Sequence, residues 1–470
     1  RKMDKVPQAV RDYLMEAHQL AAQWSLPNDR GDYINSKSIP IKSVAVIGGG
    51  TMGRGIAIAF CLSGFETYLV EVNNKAAEFC KNELEITYKR EKAFRRLNDS
   101  KVEKLRKNLQ ITTDFQKLNN CDLVSFCFYF QKKKKEKFQI VEAVFEDMKL
   151  KKELFTKLDK ICKPSCIFGT NTSSLDLNEV RFKLTIPKEH VHFQMSSVLR
   201  DPTKVVGIHF FNPANLIRMV EVIYGSKTSS KAVATAFEAC RSIKKLPVLV
   251  GNCPAFVFNR LLGVYLNQSQ KLMYEYGYLP HQIDKIITNF GFLMGPLTVA
   301  DMNGLDVMEK LKKENGWPAS DFEKEVWRQK RYGRKTNKGY YKYDPNTHKK
   351  ENDIEMEQLI RKFSSAASPN IQILNDQDAV NFLLYPMVNE GLLCIEEGII
   401  HHESLIDIMF ILGFGWPVAT GGPMRFGWLQ GIEKVASTII LWNSLEPNDR
   451  TYKVAATLQN VDRKNFAAKL

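Results

Sequence analysis

The 470-residue chain is 44% hydrophobic, 25% charged and 11% aromatic, a globular composition with enough length for roughly two to four domains. No apolar run approaches the ~18 residues that cross a bilayer, and the first residues lack the apolar core of a secretory signal. The net charge of +15 fits nucleic acid, an acidic membrane or a phosphate-bearing ligand, but the basic residues do not interleave with aromatics, which argues against nucleic acid.

Residues 7–24 space apolar groups as an exposed linker helix does, and a polar stretch follows. At Ser43 begins "SVAVIGGGTMGRGIAIAFCLSGFETYLVEVN", which predicts strand, glycine turn, helix and strand, one βαβ unit. Strand and helix patterns alternate as far as "KLPVLVGNCP", so residues 43–250 predict an α/β domain. From Ala255 onward amphipathic helical patterns dominate, and they repeat. "NRLLGVYLNQSQKLMYEYG" and "NFLLYPMVNEGLLCIEEGI" share apolar spacing, and each leads to an Ile-Asp pair, at Ile283-Asp284 and Ile406-Asp407, and then a glycine-rich turn. The expected architecture is a linker over 1–42, a Rossmann-type α/β domain over 43–250, and two related all-α domains over 251–365 and 366–470. The nine cysteines contain no C-x-x-C and no grouping with histidine, so no metal site is expected; Cys162 and Cys166 are the nearest pair.

Gly48, Gly50 and Gly53 form G-x-G-x-x-G between the first strand and its helix. The first permits the tight turn, the second lets backbone approach a pyrophosphate, and the third lets helix and strand pack closely. Glu71 ends the second strand at the spacing that suits ribose hydroxyls, and the Val72 and Asn73 that follow offer no arginine for a 2′-phosphate. NAD is therefore the expected cofactor. "TNTSSLDL" offers Asn171, Ser173 and Ser174 as polar groups, or as a helix cap. "VVGIHFFNP" sets His209 at the end of an apolar strand, and "RMVEVIYG" carries Glu221 among apolar neighbours. A carboxylate beside the imidazole would make His209 a usable base; the residues alone leave a structural histidine equally open.

Together "GGGTMGRGIA", "VEAVFEDMKLKKELF", "TNTSSL", "DPTKVVGIHFFNPA", "MVEVI", "PAFVFNRLL" and "GRKTNKGYYKYD" resemble the L-3-hydroxyacyl-CoA dehydrogenases of fatty acid β-oxidation, over almost everything from Ser43 onward. The second repeat, with "GFGWPVATGGPM", narrows the likeness to the dehydrogenase half of the peroxisomal bifunctional enoyl-CoA hydratase/3-hydroxyacyl-CoA dehydrogenases. The resemblance implies NAD-dependent oxidation of an L-3-hydroxyacyl-CoA, with His209 as general base and Glu221 orienting it. It implies that Ser173 and Asn259 hold the substrate, with Asn212 beside them, and that Glu146, Lys151 and Lys335 line the cofactor site. At position 337, where the family has glycine, this chain has Asn, which tolerates positive φ. The resemblance further implies an acyl-CoA partner. It implies a monomer in which the two helical repeats form an internal pseudo-dimer. With only 42 residues before Ser43, hydration of enoyl-CoA is not expected. Ala468-Lys469-Leu470 resembles a peroxisomal import signal, which implies the import receptor as partner and the peroxisomal matrix as location, with cytoplasm or mitochondrion as alternatives.

Two segments depart from the family pattern, residues 124–139 and about 180–194. One opens Val-Ser, the other Val-Arg, and both close Phe-Gln, dipeptides that intron boundaries can encode; both read as translated introns. The first carries Lys132, Lys133, Lys134 and Lys135, which cannot be buried unpaired, so it is expected to loop out of a central strand. The competing function is then a non-catalytic NAD- or CoA-binding relative disabled by that segment.

Overall fold

The computed structural model describes residues 6–127, 148–171, 199–314 and 317–461. It divides into two compact units, His18–Cys253 on one side, and Pro254–Leu470 with Arg1–Ala17 on the other. Glu146, Ser173, Ala468, Lys469, Leu470, the segment 180–194 and most of the segment 124–139 lie outside the described residues.

In the first unit, eight strands among the described residues form one sheet: β1 (Ser43–Ile47), β2 (Glu66–Val70), β3 (Leu109–Thr112), β4 (Leu123–Phe126), β5 (Ile167–Thr170), β6 (Val205–Phe210), β7 (Met219–Tyr224) and β8 (Leu246–Gly251). Their order is β3-β2-β1-β4-β5-β6-β7-β8. Neighbours run parallel except β6 and β7, which are antiparallel. All five residues of β1 are buried, as expected of a strand covered on both faces. The chain order of the strands reverses between β1 and β4, which is where open α/β sheets bind ligands beyond their carboxyl ends.

Helix α1 (Gln8–Ala22) has most of its length in the other unit, and the helices of this one are α2 (Thr51–Ser63), α3 (Asn74–Ala93), α4 (Asp99–Asn108), α5 (Met148–Ile161) and α6 (Ser230–Ser242). Their starts follow local chemistry. The side chains of Asn73, Asn98 and Ser229 accept from the backbone N–H groups of Ala76, Lys101 and Ala232. Helix α2 stops at Gly64, whose φ of 97° few other residues tolerate.

Strand β4 departs from the sequence-based expectation. Val124, Ser125 and Phe126, the head of the segment expected to loop out, lie inside the sheet. They pair with Ala45, Val46 and Ile47 of β1 and with Phe168, Gly169 and Thr170 of β5. All three are buried, and the ring of Phe126 stacks on Phe155 with centroids 4.1 Å apart. The physical reason is that Leu-Val-Ser-Phe is itself apolar and β-prone; the lysines begin only six residues after Phe126.

The second unit is helical: α7 (Phe256–Tyr274), α8 (Pro280–Phe290), α9 (Pro296–Asn303), α10 (Leu305–Glu314), α11 (Asp321–Arg328), α12 (Ile354–Ser364), α13 (Asp376–Glu396), α14 (Glu403–Gly413), α15 (Pro423–Leu429) and α16 (Ile432–Leu445). The long helices of the two repeats, α7 and α13, pack on one another. Gln268 donates to the Phe382 carbonyl at 3.1 Å, and Arg260 reaches Glu390 at 2.7 Å. No helix among the described residues is long and apolar enough to cross a membrane.

Candidate active site

The glycine turn sits at the reversal point of the sheet. Gly48 has φ 98°, and a Cβ there would lie 2.4 Å from the carbonyl oxygen of Cys127, just past β4. A Cβ on Gly53 would meet the Gly48 carbonyl oxygen at 1.8 Å. Both positions therefore exclude any side chain on steric grounds. Gly50 is the N-cap of α2 and brings that helix terminus to the turn. Glu71, directly after β2, is buried, and its Oε1 accepts from the Gly49 N–H at 2.6 Å. Arg54 closes the turn from the helix side, donating to the Gly49 carbonyl at 2.9 Å and to Glu83 at 3.1 Å. Cys80 lies against Gly49; burial pushes its thiol up to about 12, so it serves as packing. A backbone cradle that admits no Cβ, a helix N-terminus and a carboxylate at the end of β2 together fit a dinucleotide.

The second group lies on β6 and β7. His209 and Glu221 face each other in the antiparallel register, and the imidazole Nδ1 stands 2.7 Å from Glu221 Oε2. His209 is 8% exposed and Glu221 is fully buried. A carboxylate opposite Nδ1 selects the tautomer with its proton there, which leaves the lone pair on Nε2. The ring of Phe211 meets the imidazole edge to face, with centroids 5.0 Å apart. Asn171 extends the sheet where β5 ends. Its N–H donates to the Phe126 carbonyl and its Oδ1 accepts from the Phe210 N–H at 2.7 Å. The backbone directly after His209 is thereby tied to the carboxyl ends of β4 and β5. Asn212 is exposed in the connection that follows β6.

Other sequence-derived candidates lie elsewhere. Glu146 and Ser173 are outside the described residues, and Lys151 is on α5 with its side chain outside them. Asn259 is in the first turn of α7, in the helical unit. Lys335 belongs to a short turn of the same unit, where its ammonium pairs with Asp306 at 2.8 Å. Asn337 ends that turn with φ 55°, the conformation for which glycine is usual. Phe211 and Arg54 were not legible as site residues: one reads as an ordinary strand-end aromatic, the other as an exposed helix cation. Among the described residues no cluster of His, Cys, Asp and Glu could hold a metal.

Comparison with known proteins agrees with this geometry. The family model for the 3-hydroxyacyl-CoA dehydrogenase NAD binding domain matches residues 43–253, and that for the 3-hydroxyacyl-CoA dehydrogenase C-terminal domain matches residues 256–343. The crystal structure of the dehydrogenase part of multifunctional enzyme 1 from C. elegans is 63% identical, with 97% of this chain and 98% of that chain covered and a TM-score of 0.69. The peroxisomal bifunctional enzyme of Danio rerio is 32% identical over 93% of this chain and 58% of its own length. Its Homo sapiens counterpart is 30% identical over 97% and 60%. The chain thus spans about three fifths of the curated relatives it matches.

Proposed function

The chain belongs to the 3-hydroxyacyl-CoA dehydrogenase family, and on that premise we propose that it oxidises the 3-hydroxyl of an L-3-hydroxyacyl-CoA to the ketone, in fatty acid β-oxidation, with His209 as general base. The carrying observation is the 2.7 Å bond between His209 Nδ1 and Glu221 across β6 and β7.

Gly48, Gly50, Gly53 and Glu71 are the residues that would hold NAD. Bound there, NAD supplies the hydride acceptor. His209 takes the hydroxyl proton at Nε2, and Glu221 keeps the ring in the tautomer that can accept it and stabilises the imidazolium that forms. Asn171 holds the N–H of Phe210, directly after His209, and Phe211 packs on the imidazole. By family resemblance, Ser173, Asn212 and Asn259 bind the substrate and Glu146, Lys151 and Lys335 the cofactor.

Purified chain incubated with a 3-ketoacyl-CoA and NADH tests the reading through the loss of NADH absorbance. Turnover that disappears in His209→Gln supports it. NADH binding with no turnover by the unaltered chain would instead support the non-catalytic reading. For location, the relatives named peroxisomal favour the peroxisome, and the run Ala468-Lys469-Leu470 is the candidate address read by the import receptor. A fluorescent protein carrying that tripeptide at its C-terminus should collect in peroxisomes. The packing of α7 on α13 within one chain favours a monomer; sedimentation as an obligate dimer would overturn that.

A further inference from the structure

The strands of His209 and Glu221 are joined by a connection of eight residues, 211–218, between β6 and β7. That connection has little regular structure of its own. Its only local ladder is a turn in which the N–H groups of Leu216 and Ile217 both bond to the Pro213 carbonyl. What grips it is Lys245, immediately before β8. The Lys245 ammonium donates to the Ala214 carbonyl at 2.6 Å and also to the Ile217 carbonyl. The N–H of the next residue, Leu246, donates to the Arg218 carbonyl at 2.7 Å. Three carbonyls of the connection are therefore held by two consecutive residues. On the connection's other side, Ala214 is buried close against Gly55 of α2, where a Cβ would lie 3.1 Å from that of Ala214.

Lys245 is only 7% exposed. Its neighbours include Cys240, a buried thiol pushed up to about 12, and Arg218, a second cation. Burial lowers the Lys245 ammonium to about 8. A buried lysine bonded to backbone carbonyls is costly to keep for packing alone. A methionine would fill much the same space without that cost.

We propose that Lys245 is a positioning residue for the dehydrogenase reaction, bracing the 211–218 connection so that Phe211 and the two strands hold the His209–Glu221 pair in its reactive geometry. The proposal rests on the function proposed above.

Its test compares Lys245→Met and Lys245→Gln with the unaltered full chain. Amide hydrogen exchange over residues 211–218 reads the brace itself, without any turnover. Steady-state kinetics with a 3-ketoacyl-CoA and NADH read its consequence. In Lys245→Met, exchange in that segment should rise at least about tenfold. The kcat should fall by about tenfold to hundredfold, the scale of a misplacement of the order of 1 Å, with the KM for NADH within about twofold. Lys245→Gln, which keeps a donor, should recover part of the kcat. Unchanged exchange would remove the brace, and raised exchange with an unchanged kcat would remove the positioning role. Loss of folding in both variants would make Lys245 a stability residue and overturn the proposal. An unaltered chain with no turnover defeats the proposed function instead, leaving the brace to be judged by exchange alone.

Discussion

The phenol of Tyr13 donates a 2.6 Å hydrogen bond to Oδ2 of Asp407, a residue 394 positions away. Asp407 is fully buried, and its carboxyl also accepts from the N–H groups of Met424 and Arg425, capping α15. The first repeat holds the same arrangement: Asp284 caps α9 through the N–H groups of Leu297 and Thr298, and the phenol of Tyr341 donates to it at 2.8 Å. A cation lies over each tyrosine ring, Arg425 over Tyr13 and Lys350 over Tyr341. The repeated Ile-Asp pair is thus a helix-capping device. In the first repeat its tyrosine follows in sequence, while the second borrows one from α1. Tyr13→Phe removes a donor from a buried acceptor, so it should cost about 1–3 kcal/mol in the helical unit, as should Tyr341→Phe. Denaturant titration of the two variants checks this. An unchanged midpoint for Tyr13→Phe would mean that α1 adds nothing to the second repeat.

Asp407 also gives stability a pH dependence. Burial outweighs its three hydrogen bonds and pushes its carboxyl up to about 8; Asp301, buried among the backbone of Tyr340 and Tyr341 and the phenol of Tyr343, is pushed up to about 7. A folded-state pKa above the unfolded value means that the native protein holds protons the unfolded chain has released. The associated stability is complete below about pH 4, the ordinary carboxyl value, and is lost as pH rises through 7 to 8. The melting temperature should therefore fall between pH 5 and about 7.5, above which the lowered Lys245 ammonium acts in the opposite sense. Asp407→Asn, which cannot titrate, should flatten the upper part of that fall. Equal slopes in the two proteins would contradict the assignment.

The turn before α2 predicts sharp intolerance. Gly53→Ala would place a methyl 1.8 Å from the Gly48 carbonyl oxygen, and Gly48→Ala adds a φ of 98° to a 2.4 Å approach. Backbone, unlike a flexible side-chain end, cannot yield cheaply. NADH affinity, read by fluorescence, should drop by at least about tenfold in either variant, equivalent to about 1.4 kcal/mol. Gly263→Ala, in α7 with open space around it, should bind NADH as before.

These features differ in how far the sequence discloses them. The glycine turn and Glu71 are legible because spacing alone carries their chemistry, and the reversal of strand order then sets the turn at the crevice. His209 and Glu221 are individually visible, but their pairing depends on the register of β6 on β7. A slip of one residue would send Glu221 to the other face of the sheet. Asn171 is visible as a polar group but its bond is not, and Lys245 is less legible still. Each bonds to a backbone group far along the chain, and no residue pattern advertises a side chain reaching for a carbonyl or an N–H. The start of the lysine-bearing segment misleads for a related reason: comparison of motifs marks where the family pattern breaks, whereas β-propensity and burial decide which residues fill a strand.

The pairing of His209 with Glu221 makes a kinetic prediction. Glu221→Gln preserves shape, but the amide can present its NH2 group to Nδ1 and favour the tautomer whose proton sits on Nε2, where the substrate proton must go. The kcat should fall by about 10²–10⁴ with little change in KM, as expected when a base is held in the wrong tautomer. His209→Gln should lose at least as much. A Glu221→Gln enzyme within threefold of the unaltered kcat would show that the carboxylate does not set the tautomer.

Phe126 decides whether the segment that starts at Val124 belongs to the fold. Its ring is fully buried, stacks on Phe155 and lies 6.4 Å from Phe168. Its backbone also continues the pairing between β1 and β5. If these residues were an excursion from the sheet, Phe126→Ala would be nearly neutral, because an exposed aromatic contributes little. As part of β4 it leaves a cavity between two other rings, and its removal should cost about 3–5 kcal/mol. Lys81→Ala, at an exposed position of α3, serves as the surface comparison and should stay within about 0.5 kcal/mol. Denaturant unfolding of both variants separates the two cases. A loss below about 1 kcal/mol for Phe126→Ala would return Val124, Ser125 and Phe126 to the excursion and leave β4 to be built from residues further along the chain.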